Sequence, residues 1–253
     1  MRNAVAILLL GLALASPAHA QSAASLYASG EFRGAADRGE QEGGAAGYLI
    51  AARALLAMAI VDFRGADAAA WLDRAQRDAE AALSGAPNSV QARLQLATAL
   101  GMKGRRASLE EAINADYARR GRALIEDALK RAPQDSSAHA LLGVWNLEVV
   151  RRGGVLGSAF MGASTRAGIR AFERARVLAP SDPVIAFQYG LALLSLHPSR
   201  YAGQAGALFE AAANCAPRDA FEANMRDEAR RLSNVLTSEG PVVAAATAAA
   251  AYL

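Results

Sequence analysis

The side chains able to do chemistry are few and scattered. Cys215 is the one thiol, at the apolar end of the segment FEAAANCAP. A lone cysteine cannot close an intramolecular disulfide, and this setting predicts a buried structural thiol rather than a nucleophile. After His19, the histidines are His139 and His197. Neither has a cysteine or carboxylate cluster at ligand spacing, so no zinc site is expected. Neither stands in sequence beside a nucleophile and an orienting acid. Glu110-Glu111 and Glu126-Asp127 are adjacent pairs, and neighbours on a helix point to different faces rather than to one substrate. The glycine run RRGGVLGSAFMGAS follows no strand and lacks the Lys-Ser/Thr that a phosphate loop places after its glycines. These residues predict no enzyme and no cofactor.

Binding is the chemistry that remains. Glu148 and Arg152 are four residues apart, the spacing of an ion pair along a helix, and Trp145 lies three before Glu148 on the same side, which reads as a core Trp beside an ion pair, with a partner-binding group as the other reading. The segment Gly153–Ser164 is pliable through its glycines and apolar through Val155, Leu156, Phe160 and Met161. Burying those four side chains would stabilise the fold by roughly 1.5–3 kcal/mol each. The expectation is therefore a loop folded into the body of the protein. A flap touching a partner or a membrane is the other reading.

Composition frames the elements that must position these residues. Hydrophobic residues make up 53% of 253, charged residues 20% and aromatics only 6%, which predicts a folded core. Alanine is abundant; it loses little entropy in a helix and lets helices pack closely, so the chain reads as all-α. The basic residues are nearly all arginine, and 27 of them are interspersed with 24 acids for a net charge of +3. That is the pattern of solvated helix faces. A nucleic-acid partner would need a one-signed patch with aromatic platforms, and none is expected.

Residues 1–20 read as an export signal: Arg2, an apolar run from Ala4 to Ala15, and Ala18-His19-Ala20 as an A-x-A cleavage site. The run is short for a membrane span. Cleavage after Ala20 would release a periplasmic or secreted chain starting at Gln21, with no transmembrane segment. A helical domain is expected over 21–237 and an Ala-rich tail, frayed or loosely docked, over 238–253.

Between these limits the pattern predicts helices over Tyr48–Asp62, Asp67–Leu83 with Asp67 as N-cap, and Ser89–Met102. Ser108-Leu109-Glu110-Glu111 is a capping box. The helix it opens is expected to run to Arg131, with Leu109, Ile113, Tyr117, Leu124 and Ala128 on one side. Ser136 or Ser137 is expected to cap the helix holding Trp145, and its partner to begin near Ser164. Further helices are predicted over Val184–Leu196, Tyr201–Asn214 and Ala220–Leu236.

These helices repeat. Ala-Pro recurs at Pro87, Pro133, Pro180 and Pro217, at intervals of 46, 47 and 37 residues. Five residues before each proline stands Ala82, Ala128, Ala175 or Ala212, and eight before stands Ala79, Ile125, Phe172 or Phe209. Twelve before, the residue is small: Ala75, Gly121, Gly168 or Ala205. Ten after, it is small again: Ala97, Gly143, Gly190. Small residues suit the crossing of two helices, a larger apolar residue fills the space one turn on, and proline follows the helix end because it cannot continue the ladder.

In this pattern the chain resembles the tetratricopeptide repeat (TPR) superfamily, as a degenerate exported bacterial member. Leu142-Gly143, Gly168 with Phe172, Ala205 with Phe209, the proline series and Gly30-Glu31-Phe32 with Ala35 carry the resemblance. Two intervals are about a dozen residues longer than the usual ~34. The resemblance implies stacked antiparallel helix pairs in a right-handed superhelix whose first helices line a concave face. The inward positions would be Leu94, Gln95 and Thr98; Ala140, Leu141 and Val144; Phe187, Gln188 and Leu191. None is basic, so the carboxylate clamp of some relatives is not expected. The implied role is a scaffold for a protein or peptide, with Gln95, Thr98, Trp145, Glu148, Arg152, Phe160, Met161, Phe187 and Gln188 as candidate contacts. A small-molecule or lipid carrier with an apolar pocket under the Gly-rich segment is the alternative.

Overall fold

The computed structural model describes residues 21–252, and all regular elements among them are helices. The export-signal reading falls on residues 1–20 and lies outside the described residues. In chain order the helices are α1 (Ala23–Ser29), α2 (Phe32–Glu42), α3 (Gly44–Val61), α4 (Ala68–Gly85), α5 (Val90–Arg106), α6 (Leu109–Asn114) and α7 (Tyr117–Arg131). They continue as α8 (Ser136–Met161), α9 (Thr165–Leu178), α10 (Pro183–Leu196), α11 (Pro198–Ala213), α12 (Ala220–Ser238) and α13 (Pro241–Tyr252). Sequential helices pack in pairs: α3 with α4, α5 with α7, α8 with α9, α10 with α11.

The repeat positions do what their sizes dictate. Ala82, Ala128, Ala175 and Ala212 are buried, as are Ala75 and Ala205. A Cβ on Gly143 would collide with the Phe172 ring, and one on Gly190 would come within 2.7 Å of the Phe209 ring. Glycine is what allows each aromatic ring to seat against the first helix of its pair. Phe172 then stacks on Tyr189 of the next pair, centroids 4.6 Å apart, so each unit supplies the core of its neighbour. By length and composition α3 could cross a membrane, but eight of its residues, from Gly47 to Ala59, are buried within the helix stack.

Several local expectations change. Asp67 precedes α4 in helical backbone geometry, and its side chain makes no cap bond. Asp135, not Ser136 or Ser137, caps α8 by accepting the Ala138 N–H at 2.8 Å. The capping box forms at Ser108 and Glu111. The helix it opens stops at Asn114, because Asp116 adopts φ +52° and restarts the chain as α7. Aspartate tolerates this left-handed geometry better than most residues. The break leaves Leu109 and Ile113 exposed instead of continuing a buried stripe. Cys215 is half-buried, its Sγ donating to the Ala211 carbonyl at 3.2 Å.

The tail is a docked helix. Ala244, Ala248 and Tyr252 of α13 are buried against α10 and α12, because alanine permits the close approach that a larger side chain would prevent. The stack also curls back on itself. Arg53 of α3 pairs with Asp219 at the start of α12 at 3.0 Å, and α1 contacts α12. Arg64 and Arg105 donate to the carbonyls of Ala249 and Tyr252.

Candidate interaction surface

The inner face is built by α5, α8 and α10 and is largely filled. Leu94, Phe187 and Leu191 are buried. Thr98 is half-buried and spends its hydroxyl on the Leu94 carbonyl at 2.8 Å. Gln95 is half-buried with its Oε1 unpartnered. Gln188 lines a small cleft with Arg105, Val144, Glu148 and Arg151. There Arg151 grips Glu148 through two hydrogen bonds, at 2.6 and 3.0 Å, and the Arg105 guanidinium lies 3.7 Å away. Burial alone would raise the Glu148 carboxyl, but Arg151, Arg105 and Arg152 outweigh it and hold it below the usual carboxylate range. Burial lowers Arg105, which stays charged because an arginine begins so high. The end of α13 covers the Phe187 end of this face: Tyr252 meets Phe187 and donates its hydroxyl to Glu228 at 2.7 Å.

The expected Glu148–Arg152 pair does not form. Arg151 takes the acid from three residues away, and Arg152 donates instead to the carbonyls of Gly104 and Ala107 at the C-terminus of α5. A cation there satisfies orphan carbonyls and the negative helix end together. Trp145 is buried; its Nε1 donates to the Ala118 carbonyl at 2.8 Å, and Arg122 lies 4.9 Å from its ring. Trp145 and Arg152 therefore tie α8 to α5 and α7, and they are framework rather than partner-facing groups.

The segment expected as an inward-folded loop is neither a loop nor buried. α8 continues through it to Met161, redirected at Gly154 (φ +57°, ψ −152°) and closed by Gly162 at φ +65°. Val155 is 87% exposed, Leu156 85% and Phe160 77%. Only Met161 turns back, packing in the Trp145 cluster. The physical reason is the Gly154 geometry, which aims the last turns of α8 away from the pair it belongs to. Arg119 sits 5.7 Å over the Phe160 ring, and Arg122 donates to the Met161 carbonyl, so the projecting segment is braced from α7.

Among the described residues no group of three His, Cys, Asp or Glu is placed to hold a metal ion. Burial pushes the Cys215 thiol up, which weakens it as a nucleophile. Sequence reasoning missed Arg166, Arg170 and Arg200, which line an open cleft between α9 and the α10–α11 turn. The like-charged spacing of Arg166 and Arg170 at a helix start was the available signal.

No protein-family model matches the chain, and no curated protein matches its sequence. Its structure is similar to the crystal structure of a thermophilic TPR protein in Thermus thermophilus. The TM-score is 0.58 at 18% identity, over 83% of this chain and 95% of that one. The fold is TPR-like. In this TPR-like stack, the dozen extra residues of the two long repeats are α6 and the projecting end of α8, both added where the two helices of a pair connect.

Proposed function

We propose that the chain is an exported TPR-like scaffold that binds a protein partner, and that the projecting end of α8 is its main contact. The observation that carries this reading is the exposure of Val155, Leu156 and Phe160 on one braced helical segment. Water opposes such exposure, and clustered exposed apolar surface marks interaction sites. A partner with an apolar groove would recover the burial. The inner face, where such folds commonly bind, is here covered in part by α13.

A pocket beside Phe160, Trp145 and Phe187, under the Gly-rich segment, would favour the carrier reading. They lie apart: Phe160 in solvent, Trp145 between α7 and α8, Phe187 under Tyr252. The scaffold reading is therefore preferred. Capture from cell-envelope extract tests it, comparing the wild type with Val155→Ser/Leu156→Ser/Phe160→Ser. A specific protein retained by the wild type and lost by the variant, with melting temperature unchanged, is expected. Equal recovery by both would end the assignment. Mass spectrometry of the exported chain should find Gln21 as the first residue; an intact Met1 would refute export by cleavage.

A further inference from the structure

The open cleft between α9 and the α10–α11 turn has a volume of about 550 Å³. Its polar lining is Thr165, Arg166, Arg170, His197, Arg200 and Tyr201, and it contains no acid. Ile169 and Leu196 supply apolar surface to the same cleft. Many arginines elsewhere are paired with acids, as Arg74, Arg93, Arg131, Arg151 and Arg218 are, while the Arg176 Nε is unpartnered and Arg174 bonds the Gln134 amide. Among the described residues Arg166, Arg170 and Arg200 make no ion pair with any of them. Three exposed arginines thus border one cleft whose lining holds no acid.

Each of the three is placed where a cation lowers stability. Arg166 is the second residue of α9 and Arg200 the third of α11. Both lie at the positive ends of their helices, where an anion is favoured and a cation is not. Arg170 follows Arg166 at the i,i+4 spacing, at which like charges repel. Three unfavourable placements converging on one cleft have a common remedy, which is a bound anion.

The donor set says what kind of anion. The His197 Nδ1 accepts the Arg200 backbone N–H at 3.3 Å, so the ring proton of the neutral imidazole resides on Nε2, where it can donate. Two hydroxyls, Thr165 and Tyr201, stand with it. Three guanidinium forks, an imidazole donor and two hydroxyls exceed what one carboxylate can accept. They suit the oxygens and double charge of a phosphate group, which arginine forks match in geometry.

We propose that this cleft is a binding site for a phosphate-bearing ligand. The phosphate is either a free phosphate compound or the headgroup of an anionic lipid. A three-residue link joins the end of α8 to Thr165 at the cleft.

Calorimetric titration of the full chain with pyrophosphate at low ionic strength tests the site. Saturable binding is expected, weakened at least tenfold by Arg166→Gln/Arg170→Gln and by Arg200→Gln. The exposed Arg33, distant in the stack, gives the control Arg33→Gln, which should bind as wild type does. Thermal melts add a second readout: without phosphate the double variant should melt at or above the wild-type temperature, and pyrophosphate should raise only the wild type. Co-sedimentation with phosphatidylglycerol against phosphatidylcholine vesicles separates the sources. Arg166- and Arg170-dependent retention on the anionic vesicles assigns the headgroup, and pyrophosphate binding without retention assigns a soluble phosphate. Absence of both binding and retention overturns the proposal, as does an equal loss in Arg33→Gln or undiminished binding by the double variant.

Discussion

The Tyr252 ring meets the Phe187 ring edge-on, with centroids 5.6 Å apart and planes at 78°. This contact, with the 2.7 Å hydrogen bond from the Tyr252 hydroxyl to Glu228, anchors α13. Tyr252→Ala should lower stability by about 3 kcal/mol, as other large-to-small aromatic changes in cores do. Tyr252→Phe should cost about 1.5 kcal/mol through the lost bond to a carboxylate. Urea unfolding reads both as shifts of midpoint at constant slope.

Alkaline pH should unfold the protein through its buried tyrosines. Burial, against the opposing pull of Arg53, pushes the Tyr27 hydroxyl up to about 12, and burial likewise pushes Tyr189 up to about 12. An unfolded tyrosine ionises near ~10. The folded state therefore favours the protonated phenol, and its advantage is complete below about pH 10 and lost as pH rises through about 12. Melting temperature should hold from about pH 8 to 10 and then fall. In Tyr189→Phe the fall should be shallower, with one fewer tyrosinate appearing in the absorbance titration.

Asp78 should make the wild type gain stability on mild acidification. It is buried, its Oδ2 has no partner, and burial together with the nearby Glu40 carboxylate raises its carboxyl to about 6, against the pull of Arg74. A carboxyl raised in the folded state costs stability above its folded pKa and costs nothing below its unfolded one. Asp78→Asn should therefore be more stable at pH 7, by up to about 3 kcal/mol. The two proteins should converge as pH falls through 6 toward about 4. A constant difference between them across that window would contradict the assignment.

The glycines of the repeat should separate cleanly by substitution. Gly143→Ala and Gly190→Ala drive a methyl group into Phe172 and Phe209, and each should lose about 1–3 kcal/mol through overpacking. Gly101, exposed in α5 with nothing within 4 Å of a Cβ, should do the opposite. Gly101→Ala should gain about 0.5–1 kcal/mol from helix propensity. Denaturant midpoints of the three variants check the contrast.

The stacked pairs are legible in the sequence because each ends at an Ala-Pro and crosses at a small residue, signals that periodic sequence carries openly. The end of α8 is not, because glycine clusters favour turns, and here one residue, Gly154, makes the turn while the helix resumes beyond it. The break at Asp116 has no glycine or proline to announce it. Arg152 could reach Glu148 by spacing alone, and only the position of α5 shows that backbone carbonyls take it instead. The tail reads as featureless because its information lies in the smallness of its side chains, which matters only once α10 and α12 are there to receive them. The arginine cleft is invisible for a similar reason: Arg200 lies on another helix pair from Arg166 and Arg170, and only stacking joins them.

The contact of Arg53 with Asp219 spans 166 residues, and that of Arg64 with the Ala249 carbonyl spans 185. A helical array ordinarily folds as a row of neighbours, each able to form or melt with little regard for distant ones. Joining its two ends removes that independence. Loss of the terminal pair on either side breaks contacts on the other, so unfolding should proceed as one transition rather than as fraying. The same closure lengthens the chain loops that must be ordered before the last contacts form, so the ring should fold more slowly than an open row of the same helices.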